Sequence, residues 1–291
     1  MKIALFGNTY RHEAVDTAMD LLSVLREYDS EVCIESSFYR FLKEHKSMDD
    51  YQCKIIDNEM FTADIALSFG GDGTFLNTAK HVDNKNIPIL GINTGRLGFL
   101  ADVANSEISA VLRDVFNNRY VIEERSVLQL VTDNAQWLSY PFALNEIALL
   151  KQDSSSMITI HVTVDGELLN AYRADGLIIA TPTGSTAYSM SVGGPIVVPQ
   201  SNNFILSPVA SHTLSIRPLI IPDNWQLELS VVSRTKCFLV ALDGRSDIFD
   251  QSAHLTVRKA AHTIKVVKPI GHTFFNTLKN KLMWGADKRT E

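Results

Sequence analysis

Five residues, Gly70-Gly71-Asp72-Gly73-Thr74, constrain this chain more than any other stretch. They follow an apolar run, Ile65-Ala66-Leu67-Ser68-Phe69, and precede Phe75, Leu76, Ala79 and Val82 at helical spacing. A strand that turns through glycines into a helix leaves backbone N–H groups unpaired, with the positive end of the helix dipole behind them. Such a turn suits phosphate. Glycine permits the positive φ angles expected here and puts no side chain between the main chain and an anion. Composition does not account for the motif: with Gly near 7% and Asp near 5% of residues, GGDG arises at roughly 2 × 10⁻⁵ per position. Asp72 is the odd member, because a bare carboxylate repels phosphate. It needs a proton to take or a metal to hold.

The rest of the first half alternates strand and helix. Lys2–Gly7 reads as a short buried strand, and Ala14, Ala18, Leu21, Leu22 and Leu25 form one helical face. Val32 and Ile34 suggest a second strand; the polar stretch 39–58 has no clear period. Residues 87–92 give another strand, with Pro88 suited to its start or to an edge, and Ile108, Val111, Leu112, Val115 and Phe116 a further helix. This alternation predicts an α/β domain, a parallel sheet covered on both sides, with ligands beyond the carboxyl ends of its strands. Asp72 and Asn93-Thr94-Gly95 would both lie there.

The texture changes near Tyr120. Short β-branched runs at 127–132, 143–150, 158–164, 177–180, 227–232, 238–242 and 263–267 predict a second, β-rich, mostly antiparallel domain. Asp165-Gly166 and Asp243-Gly244 read as hairpin turns. One segment interrupts the strands: residues 181–189, Thr-Pro-Thr-Gly-Ser-Thr-Ala-Tyr-Ser, with Gly193-Gly194-Pro195 after it, read as a second loop leading into a helix. Helical spacing returns from Phe274 to Trp284. The expected domains are 1–122 with 268–291, and 123–267.

With 291 residues the chain has room for a large core and two domains. A net charge of −6, without a run of Lys and Arg, argues against nucleic acid as a partner. No apolar run approaches bilayer-spanning length, and Met1-Lys2 runs straight into a strand, so no membrane association is expected and the location predicted is cytoplasmic. Three scattered cysteines give neither a disulfide framework nor a zinc ribbon. The eight histidines show no metal-ligand spacing, and no protein metal ligand is predicted.

The ordered set Gly70–Thr74, Gly91-Ile92-Asn93-Thr94-Gly95 with Leu97-Gly98-Phe99-Leu100, Asn145-Glu146, and Asp175 through Ser189, then Gly193-Gly194-Pro195, resembles the bacterial NAD kinases over most of the chain. GGDG alone is shared with phosphofructokinases and with diacylglycerol and sphingosine kinases; its company narrows the resemblance. The resemblance implies transfer of the γ-phosphoryl group of ATP to the 2′-hydroxyl of the adenosine ribose of NAD, giving NADP. It implies an α/β domain, a β-rich domain and a C-terminal segment that returns to the first. It also implies a divalent metal, usually Mg²⁺, accompanying ATP, and a homo-oligomer, dimer or tetramer, with the dinucleotide between domains.

Carried onto this sequence, the resemblance makes Asp72 the catalytic base, with metal ligation as its competing role. Nucleotide contacts fall on Gly71, Gly73, Thr74, Asn145, Glu146, Asp175, Thr183, Thr186, Ala187, Tyr188, Ser191 and Ala210. Arg173 is set near pyrophosphate or ATP, a surface pair with Asp175 being the plainer reading. Phe99 lines the pocket or packs in the core, and the same choice stands for Tyr188. Two positions depart from the family pattern: Asn77 stands where many members carry a basic residue, and Arg245 where many carry glutamine, from which a guanidinium would reach a phosphate. No GxxxxGK[ST] lysine is present, so main-chain amides and the metal must neutralise the phosphates. The alternatives are an idle NAD(H) or NADP(H) sensor on a kinase scaffold, and a lipid kinase of the diacylglycerol kinase type.

Overall fold

The structure is a computed structural model that describes residues 1–58, 60–133, 139–153 and 156–285. In chain order it begins with β1 (Lys2–Gly7), α1 (Val15–Glu27), β2 (Glu31–Glu35), α2 (Ser36–His45), β3 (Cys53–Ile56), β4 (Ile65–Gly70), α3 (Asp72–Val82), β5 (Ile89–Asn93), β6 (Val103–Ala104), α4 (Ile108–Phe116) and β7 (Tyr120–Arg125). Twelve strands then follow almost without helix: β8 (Leu128–Thr132), β9 (Phe142–Ala143), β10 (Glu146–Lys151), β11 (Ile158–Val164), β12 (Glu167–Ala174), β13 (Gly176–Ala180), the one-turn α5 (Tyr188–Ser191), β14 (Asn203–Val209), β15 (Leu219–Pro222), β16 (Leu227–Val232), β17 (Cys237–Leu242), β18 (Arg245–Asp250) and β19 (Leu255–Lys259). The chain closes with β20 (Ile264–Pro269) and α6 (Phe274–Leu282). Two compact units result, Met1–Glu124 with Ile264–Glu291, and Arg125–Thr263.

The first unit is built on a sheet ordered β3-β2-β1-β4-β5-β20-β7, with β6 beside β5. Strands β1 to β6 pair in parallel, and β20 joins β5 in parallel. Strand order reverses between β1 and β4, and a doubly wound sheet opens its ligand crevice at that point, beyond the carboxyl ends. The loop after β1 and the Gly70–Thr74 turn meet there, with Asn8 N–H donating to the Phe69 carbonyl at 3.0 Å. Leu21, Leu25, Phe38, Leu42, Leu67, Leu90, Ile92 and Leu112 belong to one buried cluster, which is why the strands read as apolar runs and the helices as stripes. α2 runs into the stretch that shows no clear period: Glu35 accepts from the Ser37 and Phe38 amides at 2.9 Å each, and Phe38, Phe41 and Leu42 are the buried face.

The second unit packs two antiparallel six-stranded sheets, β15-β14-β13-β10-β17-β18 and β12-β11-β16-β19-β8-β9. Ile147, Leu149, Leu177, Ile179 and Val240 of one sheet share a core with Ile158, Ile160, Leu229 and Leu255 of the other. The opposite faces of β10 and β13, Ala148, Ile178 and Ala180, are covered with Val197. Both strands are therefore buried on two sides. The turns Asp165-Gly166 and Asp243-Gly244 take positive φ at both residues (46° and 84°, 47° and 81°), as a two-residue hairpin demands. Among the described residues no helix is long and apolar enough to cross a membrane.

An ion pair is buried in the first unit: Lys268 Nζ sits 2.6 Å from Asp102 Oδ2, with side chains 6% and 4% exposed. It ties β20 to the segment just after Ala101. Removing one partner strands the other charge, which costs about 3–5 kcal/mol, whereas replacing both is far milder. Lys268→Met is expected to lower stability by that amount, and Asp102→Asn with Lys268→Met to recover most of it, read from urea denaturation midpoints.

Candidate functional site

In the first unit the candidate site is the start of α3. Gly71 occupies the cap position at φ −105°, ψ −169° and has no side chain to cap with, and the first helical bond runs from Phe75 N–H to the Gly71 carbonyl at 3.1 Å. The expected positive φ is not found at Gly70, Gly71 or Gly73. These glycines serve by size instead. A Cβ on Gly70 would meet Thr74 Oγ1 at 2.2 Å, while one on Gly71 or Gly73 would meet nothing within 4 Å. Thr74 is thus a packing partner of the turn, and Gly71 and Gly73 keep open the approach to its amides. Asn77 is exposed one turn further along α3.

Asp72 is the first residue of α3 and accepts four hydrogen bonds. Oδ1 takes the amides of Leu100 (3.0 Å) and Ala101 (3.1 Å); Oδ2 takes the amide of Phe99 (3.0 Å) and Nζ of Lys281 (3.3 Å). Burial pushes its pKa up, but the three amides and Lys281 outweigh burial and hold it below the ordinary 3.8. Gly98 makes this possible, since a Cβ there would lie 2.0 Å from Oδ1. Phe99 has its ring 4.7 Å from Lys281 Nζ and 6.2 Å from the Phe274 ring. Beside it the Asn93 side chain accepts from the Gly95 amide at 2.5 Å and donates to the Arg96 carbonyl, fixing the turn after β5.

The surroundings of Asp72 are those of a hydrogen-bond acceptor. Four N–H donors surround the carboxylate, and among the described residues no three His, Cys, Asp or Glu side chains cluster to hold a metal ion. This donor set suits an acceptor that takes a proton from a hydroxyl.

In the second unit the chemistry gathers at the start of β10. Asn145 is buried, and Glu146 follows it with one carboxylate oxygen buried and unpaired. What places both is Asp243, in the β17–β18 turn: it accepts from the amides of Leu144 (2.6 Å), Asn145 (2.8 Å) and Glu146 (3.1 Å). Asp243 was legible in the sequence only as a hairpin residue. Deep burial raises its pKa despite those amides. Burial, then the neighbouring Asp243, push Glu146 up to about 7, against one stabilising bond from the Tyr188 amide.

The segment from Thr181 packs on this pair. Thr181 N–H donates to the Asn145 carbonyl at 2.9 Å and Thr181 Oγ1 to the Leu144 carbonyl at 2.6 Å. A Cβ on Gly184 would lie 2.0 Å from the Asn145 carbonyl oxygen. The helix expected here is shorter than the sequence suggests: a 3₁₀ turn at Thr183–Thr186, a break at Ala187 with ψ −128°, then the single turn of α5. So short a helix sums too few peptide dipoles to act as an anion site. Thr186 and Ser191 hydroxyls close local turns onto the Thr183 (3.3 Å) and Tyr188 (2.8 Å) carbonyls. Tyr188 is 37% exposed, which removes the core reading of its ring.

Four further expected site residues have these surroundings. Asp175 pairs with Lys151 at 2.7 Å in place of Arg173, which is exposed on β12. Arg245 donates to the carbonyls of Tyr140 (2.9 Å) and Phe142 (2.6 Å) and stacks on the Tyr140 ring at 5.1 Å. Within the chain its guanidinium fastens a loop. Ala210 sits at φ 45°, a conformation that costs a non-glycine residue energy and that gathers at functional sites.

Residues 3–120 match the family model of the ATP-NAD kinase N-terminal domain, and residues 144–269 that of the ATP-NAD kinase C-terminal domain. The chain is 52% identical over 289 residues to an NAD kinase of Bacteroides fragilis, covering 99% of this chain and all of that one. It is 39% identical to an NAD kinase of Cytophaga hutchinsonii over 299 residues, again 99% and all. Among solved structures, an NAD kinase from Archaeoglobus fulgidus in complex with ATP aligns at TM-score 0.77 and 26% identity over 97% of this chain and 99% of that one. Yeast NADH kinase complexed with NADH aligns at TM-score 0.88 and 23% identity over 100% of this chain and 90% of that one, a likeness of fold.

The raised Glu146 carboxyl makes stability depend on pH. Below the ordinary value of 4.5 the group is protonated whether the chain is folded or not, and it costs nothing. Between 4.5 and about 7 the unfolded chain sheds the proton while the folded one keeps it, so stability falls as pH rises through that window. Glu146→Gln, which keeps an acceptor for the Tyr188 amide, is expected to exceed the wild type at pH 8 by on the order of 2 kcal/mol, the gap closing toward pH 4.5. Urea titrations at the two pH values measure it.

Proposed function

We propose a role for each of these groups on one premise: the chain belongs to the NAD kinase family. It is an ATP-dependent NAD kinase, transferring the γ-phosphoryl group of ATP to the 2′-hydroxyl of the adenosine ribose of NAD to give NADP. Matches to the family over both units leave the lipid-kinase and idle-sensor readings without support.

The observation that carries the mechanism is the caged carboxylate of Asp72. A sugar hydroxyl is a poor nucleophile, and phosphoryl transfer asks chiefly for in-line placement and charge neutralisation. In our reading Asp72 accepts the 2′-hydroxyl. Its lowered pKa keeps it ionised at neutral pH, so it holds the hydroxyl in a fixed direction and takes the proton late, as the oxygen closes on the γ-phosphorus and ADP leaves. Fixed amides around a carboxylate cost no reorganisation when the proton moves.

The open amides at Gly71, Gly73 and Thr74 would receive phosphate oxygens at the dipole end of α3. In this reading a divalent metal such as Mg²⁺ would accompany ATP and help neutralise the charge of its phosphates. Asn145 and Glu146, set by Asp243, would take hydroxyls of the dinucleotide, with Thr183, Thr186, Ala187, Tyr188, Ser191, Ala210 and Asp175 around them and Arg173 at the margin; Phe99, in the first unit, is a further expected contact. Support for these contacts is the family resemblance together with the shared placement of Asn145, Glu146 and the 181–191 segment. The reading further includes a homo-oligomer, which rests on the resemblance alone, and a cytoplasmic location, which rests on the sequence expectation.

Incubation with ATP, Mg²⁺ and NAD is expected to yield NADP in a coupled dehydrogenase assay; no product from NAD or NADH would overturn the assignment. Asp72→Asn is expected to bind NAD within a few-fold of wild type by calorimetry and to lose about 10²–10⁴ in kcat. Gly98→Ala pushes a methyl onto Asp72 Oδ1 and is expected to cost about 100-fold in kcat with the circular dichroism spectrum unchanged, as for a displacement of about 1 Å.

A further inference from the structure

A carboxylate offers about four hydrogen-bonding directions, and all four of Asp72's are filled. A ribose hydroxyl that is to pass its proton to Asp72 must win one of them. Three are held by the main chain of Phe99, Leu100 and Ala101. That loop is closed by Gly98 N–H to the Ala101 carbonyl at 3.0 Å, packed against Gly91, and followed at once by the buried Asp102–Lys268 pair. Freeing one of those amides means unmaking the loop. The fourth donor, Lys281, is different in kind: its ammonium stands on a four-carbon stem of α6, is 30% exposed, and makes its bond at 3.3 Å, the longest of the four. It is the donor able to leave. Among the described residues Lys281 is also the charged side chain whose field bears on Asp72.

We propose that Lys281 is a displaceable stopper on Asp72, a positioning residue that fills the hydroxyl-accepting direction of Oδ2 until the coenzyme's ribose arrives and takes it. The inference rests on the reading of Asp72 as the base. Phe99 provides the place to which the ammonium withdraws, since Nζ already lies 4.7 Å from its ring centroid. A stopper serves a kinase whose nucleophile is an alcohol. With the direction open, water in place of the ribose gives its proton to Oδ2 while its oxygen bonds to the γ-phosphorus. The bond from that phosphorus to the bridging oxygen of ADP then breaks, and the proton passes on to solvent. ATP is hydrolysed to no purpose. Lys281 closes that direction to water and yields it to a hydroxyl held by the rest of the coenzyme.

The test uses the full chain as Lys281→Met, which keeps the stem, as Lys281→Arg, which keeps the cation, as Asp72→Asn and as Asp72→Asn with Lys281→Met. ADP release from MgATP without NAD is measured, together with kcat and KM for NAD. Lys281→Met is expected to raise NAD-independent ADP release about tenfold, a part of the 10²–10⁴-fold that a positioned base supplies. KM for NAD should fall, because the hydroxyl no longer competes with an ammonium. Lys281→Arg should behave as wild type, and the double variant should release ADP no faster than Asp72→Asn. ADP release unchanged in Lys281→Met would overturn the stopper; so would a rise that persists in the double variant. Full turnover by Asp72→Asn would instead overturn the reading of Asp72 as base, a failure distinct from the other two.

Discussion

The first unit depends on a carboxylate solvated by its own protein. Asp72 begins α3, yet three of its hydrogen bonds come from consecutive amides of another loop, Phe99 to Ala101. Those bonds fix where β4 and its turn stand relative to the segment after β5, and they account for local choices nearby. Gly91 is small because a Cβ there would lie 2.4 Å from the Leu100 carbonyl, and Gly98 because Asp72 itself fills the space. The late return of the chain also falls into place: β20 adds Lys268 beneath the loop through Asp102, and α6 brings Lys281 to the carboxylate. Charge-assisted bonds to fixed amides are about twice as strong as neutral ones, and here they are spent on holding one acid in one orientation.

The second unit repeats the device to the opposite end. Asp243 also accepts three consecutive amides, from Leu144 to Glu146, yet its pKa is raised where that of Asp72 is lowered. Burial decides the sign: Asp243 is the more deeply enclosed, and there desolvation outweighs the three amides and the nearby Arg245, whereas at Asp72 the amides and Lys281 outweigh it. One cage thus holds a group that stays ionised at neutral pH, and the other stands beside Glu146, whose carboxyl is pushed up to about 7. Our reading gives the first the reacting hydroxyl and the second the hydroxyls that are only held, a division these environments support.

Much of this could be read in the sequence, and what could not has physical reasons. The alternation was legible at β1, β4 and β5, which are almost wholly buried, and at α1, α3 and α4, which bury one face, whereas β3, with Lys54 and Ile55 exposed, gave no such signal. α2 escaped because its buried face is only Phe38, Phe41 and Leu42 among seven polar or half-buried neighbours. β14 was hidden by Pro208, tolerable because β15 pairs only as far as Leu206 and leaves that side of the strand free of a ladder. β12 carries Leu168 and Leu169 outward and so lacks the expected alternation. Asp72 announced itself through its glycines, whereas Lys281 lies 209 residues away in a helix that reads like any other. The partners of Arg245 and Asp175 within the chain, the Tyr140 and Phe142 carbonyls and Lys151, could not be read ahead, since which carbonyl or cation stands opposite a side chain is set by tertiary structure alone.

The glycines carry that point further, because sequence treats all fifteen alike and structure sorts them. Five sit at positive φ, Gly166, Gly193, Gly244, Gly271 and Gly285, where a turn needs them. Eight more, at 7, 70, 91, 95, 98, 176, 184 and 194, face an atom that a Cβ would strike at 2.4 Å or less. Gly71 and Gly73 alone meet neither condition: their backbone is one any residue adopts, and a Cβ on either would stand in open space. The fold does not ask for glycine at those two positions. The demand then comes from outside the chain, from something that must come closer to the main chain than a methyl group permits, and the amides at the head of α3 are what it would find there.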